Sequence, residues 1–336
     1  MGKSQKLAEL GNVYDDSALS NRNLIINGDM QVAQRGTSFT ADNVFTLDRW
    51  KSSDGTGGSP ARTASQEEFT LGQTYVPNAR YYFKHNQTAA STNSNSALQQ
   101  KIENVTRFDG TTITLSFYAK ASADLDLYIR FIQDFGTGGS PSSDVTVSET
   151  ITVGTTWKRY TVTKTLGSLS GKTLGTDGDH TSFLNLNIDF QTSSTFTFEA
   201  TLFQLEYGET ATPFEHRSYG DELTRCRRYL YRINGNSDDQ TAIAPGYFYG
   251  TTTLRVCIQF PVEMRTTPTV SADNSYLDVL RDTTNDTSVT LGSSLDESPY
   301  STNINIGSVS STTVGEGGIL RLKNNTSAYI QFDAEL

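Results

Sequence analysis

The chain has 336 residues, enough for about two domains that each bury a core of their own. A net charge of −10 argues against nucleic acid or an anionic membrane as partner, because phosphate binding needs a positive field. Hydrophobic content is a low 35%, yet 17 Phe and 16 Tyr exclude a disordered chain, and the wealth of Thr, Ser, Tyr, Val and Ile points to β structure.

Residues 1–22 are polar, with Leu7, Leu10, Val13 and Tyr14 as a sparse apolar stripe. A segment this short gains order only by docking, so it is expected to attach the protein to a partner. It lacks the apolar core of a signal peptide, and no apolar run reaches membrane-spanning length. Synthesis and folding in a cytoplasm, without membrane insertion, are therefore expected.

At residue 23 the character changes. Leu24, Ile25 and Ile26 predict a compact strand, Asn27-Gly28 a tight turn, and Met30 and Val32 a continued apolar face. Phe45, Leu47 and Trp50 then lead into a Gly/Ser/Pro loop at 52–60. Further strands are predicted at 79–84, 96–102, 111–120, 125–133, 149–153, 158–164, 182–190 and 195–205. Gly, Asn, Asp and Ser clusters separate them, the pattern of an antiparallel sandwich. Within 111–120, Ile113, Leu115, Phe117 and Ala119 suit a core. Thr114, Ser116, Tyr118 and Lys120 would point the other way, toward a ligand.

Pro213 ends the ladder, having no N–H to donate. Ser218, three residues before Asp221, resembles a capping box with Asp in the place of Glu. Leu223, Cys226, Tyr229 and Leu230 then fall on one face of a short helix, the only convincing one in the chain. Strands at 244–250, 253–260, 288–291, 303–309, 319–322 and 329–336 complete a smaller β domain.

Sequence motifs for catalysis are absent. The histidines His85, His180 and His216 stand in separate segments, without paired-ligand spacing. Cys226 and Cys257 give neither a disulfide framework nor a metal pattern. No GxSxG elbow, P-loop or dinucleotide fingerprint occurs, and the glycines at 136–139 read as a long turn. Asp134, Asp144, Asp177, Asp179, Asp189, Asp273, Asp278 and Asp282 could supply the two carboxylates of glycan hydrolysis. Many sit beside Gly or Asn, where turns favour Asp, so no catalysis, metal or cofactor is expected. Aromatic rings are the other means of holding sugar. Trp50, Trp157, Tyr81, Tyr82, Tyr118 and Tyr128 are candidates. Trp157 is expected to pack between sheets, while Trp50, with Arg49 beside it and a loop behind it, is expected to be partly open; core packing is the competing role for Trp50 too.

A resemblance is carried by a series of pieces in fixed order. They are NLIINGDMQVAQRGTSFT, LDRW, LQQKIENVTRFDGTTITLSFYAKAS, FGTGGSPSS, TTWKRYTVT, SGKTLG, FQLEYGETATPFEHRSYGDELTRCRRYLYR, FPVEMRTTPTV and AYIQFDAEL. Together they resemble bacteriophage tail-fibre proteins, especially those of phages infecting marine bacteria. The first large domain is similar to jelly-roll carbohydrate-binding modules, whose opening reads NLI-x-NG-x-F and then an acidic residue. Met30 and Gln31 stand in those last two places, a departure that bears on the structural calcium many such modules hold.

The expected fold is all-β: a jelly-roll-like β-sandwich, a short linker helix and a smaller C-terminal β-sandwich domain. The layout is an attachment peptide at 1–22, the jelly-roll domain at 23–216, the linker helix at 217–232 and the last domain at 233–336. The resemblance implies a virion tail protein made in the bacterial host cytoplasm. It would be a non-catalytic homotrimer that joins other tail proteins through its N-terminal segment and binds host surface polysaccharide. Arg49, Trp50, Tyr82, Tyr118 and Arg130 are the expected ligand-binding residues, rings stacking on sugars and guanidinium groups forking onto hydroxyls or acidic groups. A structural adaptor or decoration protein is the first alternative. A tailspike-like glycan depolymerase is the second, although the chain lacks the repeats of a parallel β-helix.

Overall fold

Along most of the chain, large apolar residues occupy every second position of successive strands, so each sheet acquires one face that must be covered. The computed structural model describes residues 21–53, 61–90, 96–177, 181–190, 193–281, 284–310 and 312–336. Leu7, Leu10, Val13 and Tyr14 lie outside the described residues, as do Asp179, His180 and Asp282. Two compact units divide the chain, one up to Glu222 and one from Leu223 to Leu336.

In the first unit the strands are β1 (Ser38–Phe39), β2 (Val44–Phe45), β3 (Lys51–Ser53), β4 (Arg62–Glu68), β5 (Tyr81–Gln87) and β6 (Ser96–Glu103). They continue as β7 (Thr112–Ala121), β8 (Leu125–Asp134), β9 (Val145–Val153), β10 (Lys158–Thr165), β11 (Phe183–Phe190) and β12 (Phe196–Tyr207). Two six-stranded sheets result, ordered β1-β4-β5-β12-β7-β10 and β2-β3-β6-β11-β8-β9. The paired strands run antiparallel throughout, giving the expected jelly-roll-like sandwich. Leu98, Leu115, Phe117, Leu127, Phe131, Leu186 and Phe198 meet in its core with no exposure.

The predicted strand at 24–26 is not one. Leu24 N donates to the Leu205 carbonyl (2.9 Å), and side chains bind the rest of its backbone. Asn23 Nδ2 donates to the Phe203 carbonyl (3.0 Å), while its Oδ1 accepts from Ile25 N (3.0 Å) and Leu205 N (3.1 Å). Gln100 holds Ile26 from both sides, accepting from its N–H at 2.8 Å and donating to its carbonyl at 2.9 Å. Asn27 and Met30, at φ 58° and 60°, turn the chain away from any ladder. The socket for this strap is a bulge in β12 between Thr201 and Gln204. Gly28 packs there so closely that a Cβ would lie 2.1 Å from the Phe203 carbonyl oxygen.

Helix α1 (Tyr219–Arg227) starts as the sequence predicts. Ser218 Oγ accepts from Asp221 N (3.2 Å) and donates to Asp221 Oδ2 (2.6 Å). It ends sooner than expected: Leu230 belongs to a strand, not to the helical face. The boundary between the two units falls within α1.

The second unit contains β13 (Leu230–Asn234), β14 (Thr241–Gly250), β15 (Thr253–Gln259), β16 (Thr269–Ala272) and β17 (Leu277–Arg281). It continues with β18 (Thr284–Asp286), β19 (Thr290–Leu295), β20 (Ser301–Gly307), β21 (Gly317–Leu322) and β22 (Tyr329–Asp333). A three-stranded sheet, β13-β22-β16, and a seven-stranded one, β18-β17-β21-β14-β15-β20-β19, make it up. Phe248, Leu254, Val256, Ile304, Leu320, Ile330 and Phe332 form its core. The protein is thus all-β apart from α1 and two short 3-10 turns among the described residues.

Candidate ligand-binding face

The five residues expected to bind ligand do not converge. Trp50 is wholly buried, its ring 4.8 Å from that of Phe203 and its Nε1–H donating to the Asn27 carbonyl at 2.9 Å. Arg49 is also buried, with φ 71° and Nη2 donating to the Lys101 carbonyl at 2.6 Å. Neither meets solvent, which corrects their assignment as ligand contacts. A tight turn is the reason: Trp50 N donates to Leu47 O (2.9 Å), folding the ring inward instead of toward the loop. Tyr82 and Tyr118 lie on the outer face of β5 and β7, while Arg130 lies on the outer face of β8 in the other sheet.

Arg130 is the member that leads to a site. On β11, Leu184, Leu186, Ile188 and Phe190 fill the core, so Phe183, Asn185, Asn187 and Asp189 face outward. Register sets Gln99 of β6 and Arg130 of β8 on either side of Asn187. It also sets Lys101 and Ile132 beside Asn185, and Tyr128 beside Asp189. Arg130 grips Asp189 with two bonds, Nε to Oδ2 at 2.5 Å and Nη2 to Oδ1 at 2.9 Å. Asn187 Nδ2 adds a third to Asp189 Oδ1 at 2.7 Å.

The carboxylate is thereby satisfied, but the amides are not. Asn185 and Asn187 are 8% and 0% exposed, and the Oδ1 of each has no donor. A buried acceptor left in that state costs about 1–3 kcal/mol. Tyr128 stands beside them 45% exposed, with its hydroxyl 2.8 Å from Ser148 Oγ and the Arg130 guanidinium 5.9 Å from its ring centre. One face thus combines an accessible ring, a fixed ion pair and two oxygens that call for hydroxyl donors. Asn185 and Asn187 escaped the sequence reading, though the alternation LNLNIDF holds their signal. Three polar residues share the face opposite an unbroken apolar row.

The other sheet's outer face is only partly open. Thr114 and Ser116, expected to meet ligand, are buried beneath residues 208–215. Thr114 Oγ1 donates to Gly208 O (2.7 Å), and Arg159 Nη2 reaches both Ser116 Oγ (3.0 Å) and the Thr212 carbonyl. Tyr118 and Lys120 lie beyond that cover, half-buried. Trp157, expected between the sheets, instead lies on this outer face against Phe69 and Tyr82, at ring distances of 5.1 and 5.6 Å.

Among the described residues no three His, Cys, Asp or Glu side chains converge on a metal-sized site. Asp29, half-buried and near Glu222, has its carboxyl pushed up to about 6 by desolvation and by that neighbouring charge, and its Oδ1 has no hydrogen-bond donor. No described helix is long and apolar enough to cross a membrane.

No protein-family profile matches the sequence, and no curated protein matches it. Solved structures similar to it include a candidate sugar-binding protein from Bacteroides thetaiotaomicron VPI-5482. That protein is 14% identical at a TM-score of 0.38, over 55% of this chain and 100% of its own. The enzymatically active domain of tailspike protein 4 from bacteriophage CBA120 is 16% identical at a TM-score of 0.36, over 56% of this chain and 22% of its own. The CBM22-1 xylan-binding domain of Paenibacillus barcinonensis Xyn10C is 13% identical at 0.32, over 58% and 99%. At such TM-scores these likenesses carry no argument of their own; the sandwich is defined by its strand orders and registers.

Proposed function

We propose that the protein is a non-catalytic bacteriophage tail-fibre protein that recognises host surface polysaccharide through the outer face of β6, β11 and β8. The observation that carries the glycan reading is the pair of donor-less oxygens on Asn185 and Asn187, buried in the free protein and reached by a ligand only once those amides turn outward, beside the open ring of Tyr128. A pyranose offers hydroxyl donors for the first and a C–H face for the second. The Arg130–Asp189 pair would orient it as a rigid fork. The tail-fibre setting rests on the sequence resemblance. A homotrimer fits the low apolar content and the exposed Tyr247, Tyr249 and Ile319 of the second unit.

Asn185→Ala should have effects of opposite sign. Removing an unsatisfied buried acceptor should leave the free protein as stable as before or up to about 1 kcal/mol more stable, whereas glycan affinity should fall about tenfold. Urea denaturation and a glycan array, with titration of any hit, read the two quantities. Lower stability with undiminished binding would remove Asn185 from the site. Shortening of the bound polymer during incubation would make the protein a depolymerase.

Attachment is tested by deletion. A chain lacking residues 1–20 is expected to stay soluble, keep its oligomeric state and bind host cells, but to fail to enter phage particles. Normal assembly of that chain would move the attachment role elsewhere, most simply to the second unit.

A further inference from the structure

Phe69, Tyr75, Tyr82 and Trp157 form a second cluster, on the sheet opposite Asn185 and Asn187. Phe69 lies 4.7 Å from Tyr82, 5.1 Å from Trp157 and 6.0 Å from Tyr75, ring centre to ring centre. Lys120 Nζ sits 5.6 Å from the Trp157 ring centre and 2.9 Å from Glu199 Oε2. Tyr75 is 49% exposed.

The loop that carries Tyr75 is fixed. Phe69 N donates to Arg80 O (2.9 Å), and Gln73 bonds Val76 from both sides, at 2.6 and 2.9 Å. Burial, together with the carboxylates of Glu199 and Glu67 and nearby Tyr75, pushes the Tyr82 hydroxyl up to about 12, so it keeps its proton as a donor. The segment at 208–215 covers Thr114 and Ser116 but leaves this end of the sheet open.

The composition of the cluster selects its occupant. Protein interfaces deplete charge at their centre, and here an ion pair lies against the rings. A sugar uses both features, its C–H face on a ring and its hydroxyls on the ammonium and carboxylate. We infer that the Trp157–Tyr75 cluster is a second glycan-contact site, independent of the Asn185–Asn187 face, so that one sandwich holds a pyranose chain on each of its sheets.

The chain's two tryptophans make the test direct. Trp50 is wholly buried, so acrylamide quenching of fluorescence in the full chain reads Trp157. Cellohexaose, mannohexaose and galactohexaose, each at millimolar concentration, are the probes. At least one should protect Trp157, equally well in the wild type and in Asn185→Ala. Tyr75→Ala, at a ring that is 49% exposed, should weaken that protection about tenfold. Absence of protection by all three sugars overturns the proposal. Protection that grows with protein concentration alone also overturns it and marks an interface between copies. Loss of protection in Asn185→Ala overturns the independence of the two faces, while Asn185→Ala losing only its array binding leaves this site standing.

Discussion

Trp50→Ala is expected to unfold the first unit. Truncating a core tryptophan typically costs about 3–5 kcal/mol, a large share of the 5–15 kcal/mol that holds a domain together. Here the loss goes beyond volume. Phe203 loses a ring partner at 4.8 Å, and Phe203 in turn stacks on Phe117 at 5.0 Å. The Asn27 carbonyl loses its indole donor at the point where the strap turns. Urea denaturation followed by circular dichroism should give a midpoint far below that of the wild type. A cost under about 1 kcal/mol would show that the ring does not hold the sandwich together. The same variant would serve as a binding-site mutant had Trp50 been open, as its neighbouring loop suggested.

Acid should destabilise the same unit through one side chain. His85 has no exposure, lies between the rings of Phe190 (4.7 Å) and Phe196 (5.4 Å), and has Gln87 beside it, which favours the charged imidazole too little to offset burial. Burial, reinforced by the nearby charge of Arg62, brings the imidazole down to about 3 from its ordinary 6.5. Between those values the unfolded chain binds a proton that the folded chain refuses. Stability therefore falls as pH drops below 6.5, by about 1.4 kcal/mol per unit, and stops falling near 3. At about pH 4.5 the loss is on the order of 2–3 kcal/mol. His85→Phe removes the titrating group and keeps an aromatic between its neighbours. Its denaturation midpoint should fall less than the wild type's between neutral and acid pH. Equal falls in the two proteins would clear His85 as the source.

What the sequence reveals and what it hides divide along a physical line. Period-two alternation is local, so β7, β8 and β11 lie close to the predicted strands at 111–120, 125–133 and 182–190. β4 was missed because its inward positions are Arg62, Ala64 and Gln66, with no apolar stripe to read. Arg62 is buried all the same, satisfied by Ser52 Oγ and by Asp42 at 3.2 Å. The segment at 24–26 misled in the other direction: it has strand composition, but Asn23, Gln100, Arg217 and the Leu205 carbonyl take its hydrogen bonds, three of them far along the chain. Arg130 could be named from sequence. Its neighbours could not, because Asp189 and Asn187 come beside it only through the register of β8 with β11.

The strap has a consequence for how the protein is made. Asn23 bonds to a carbonyl 180 positions later, and Asn27 donates to Glu222, 195 positions later. A ribosome adding about 5–20 residues per second releases the strap roughly 10–40 s before its last partner exists. During that interval Ile25 and Met30, wholly buried at the end, have no socket to enter. The strap at 23–30 thus finds its last partner only after α1 has begun to emerge. The second unit is drawn entirely from residues synthesised after Glu222, so its strands enter solution only once the first unit has everything it needs to shut.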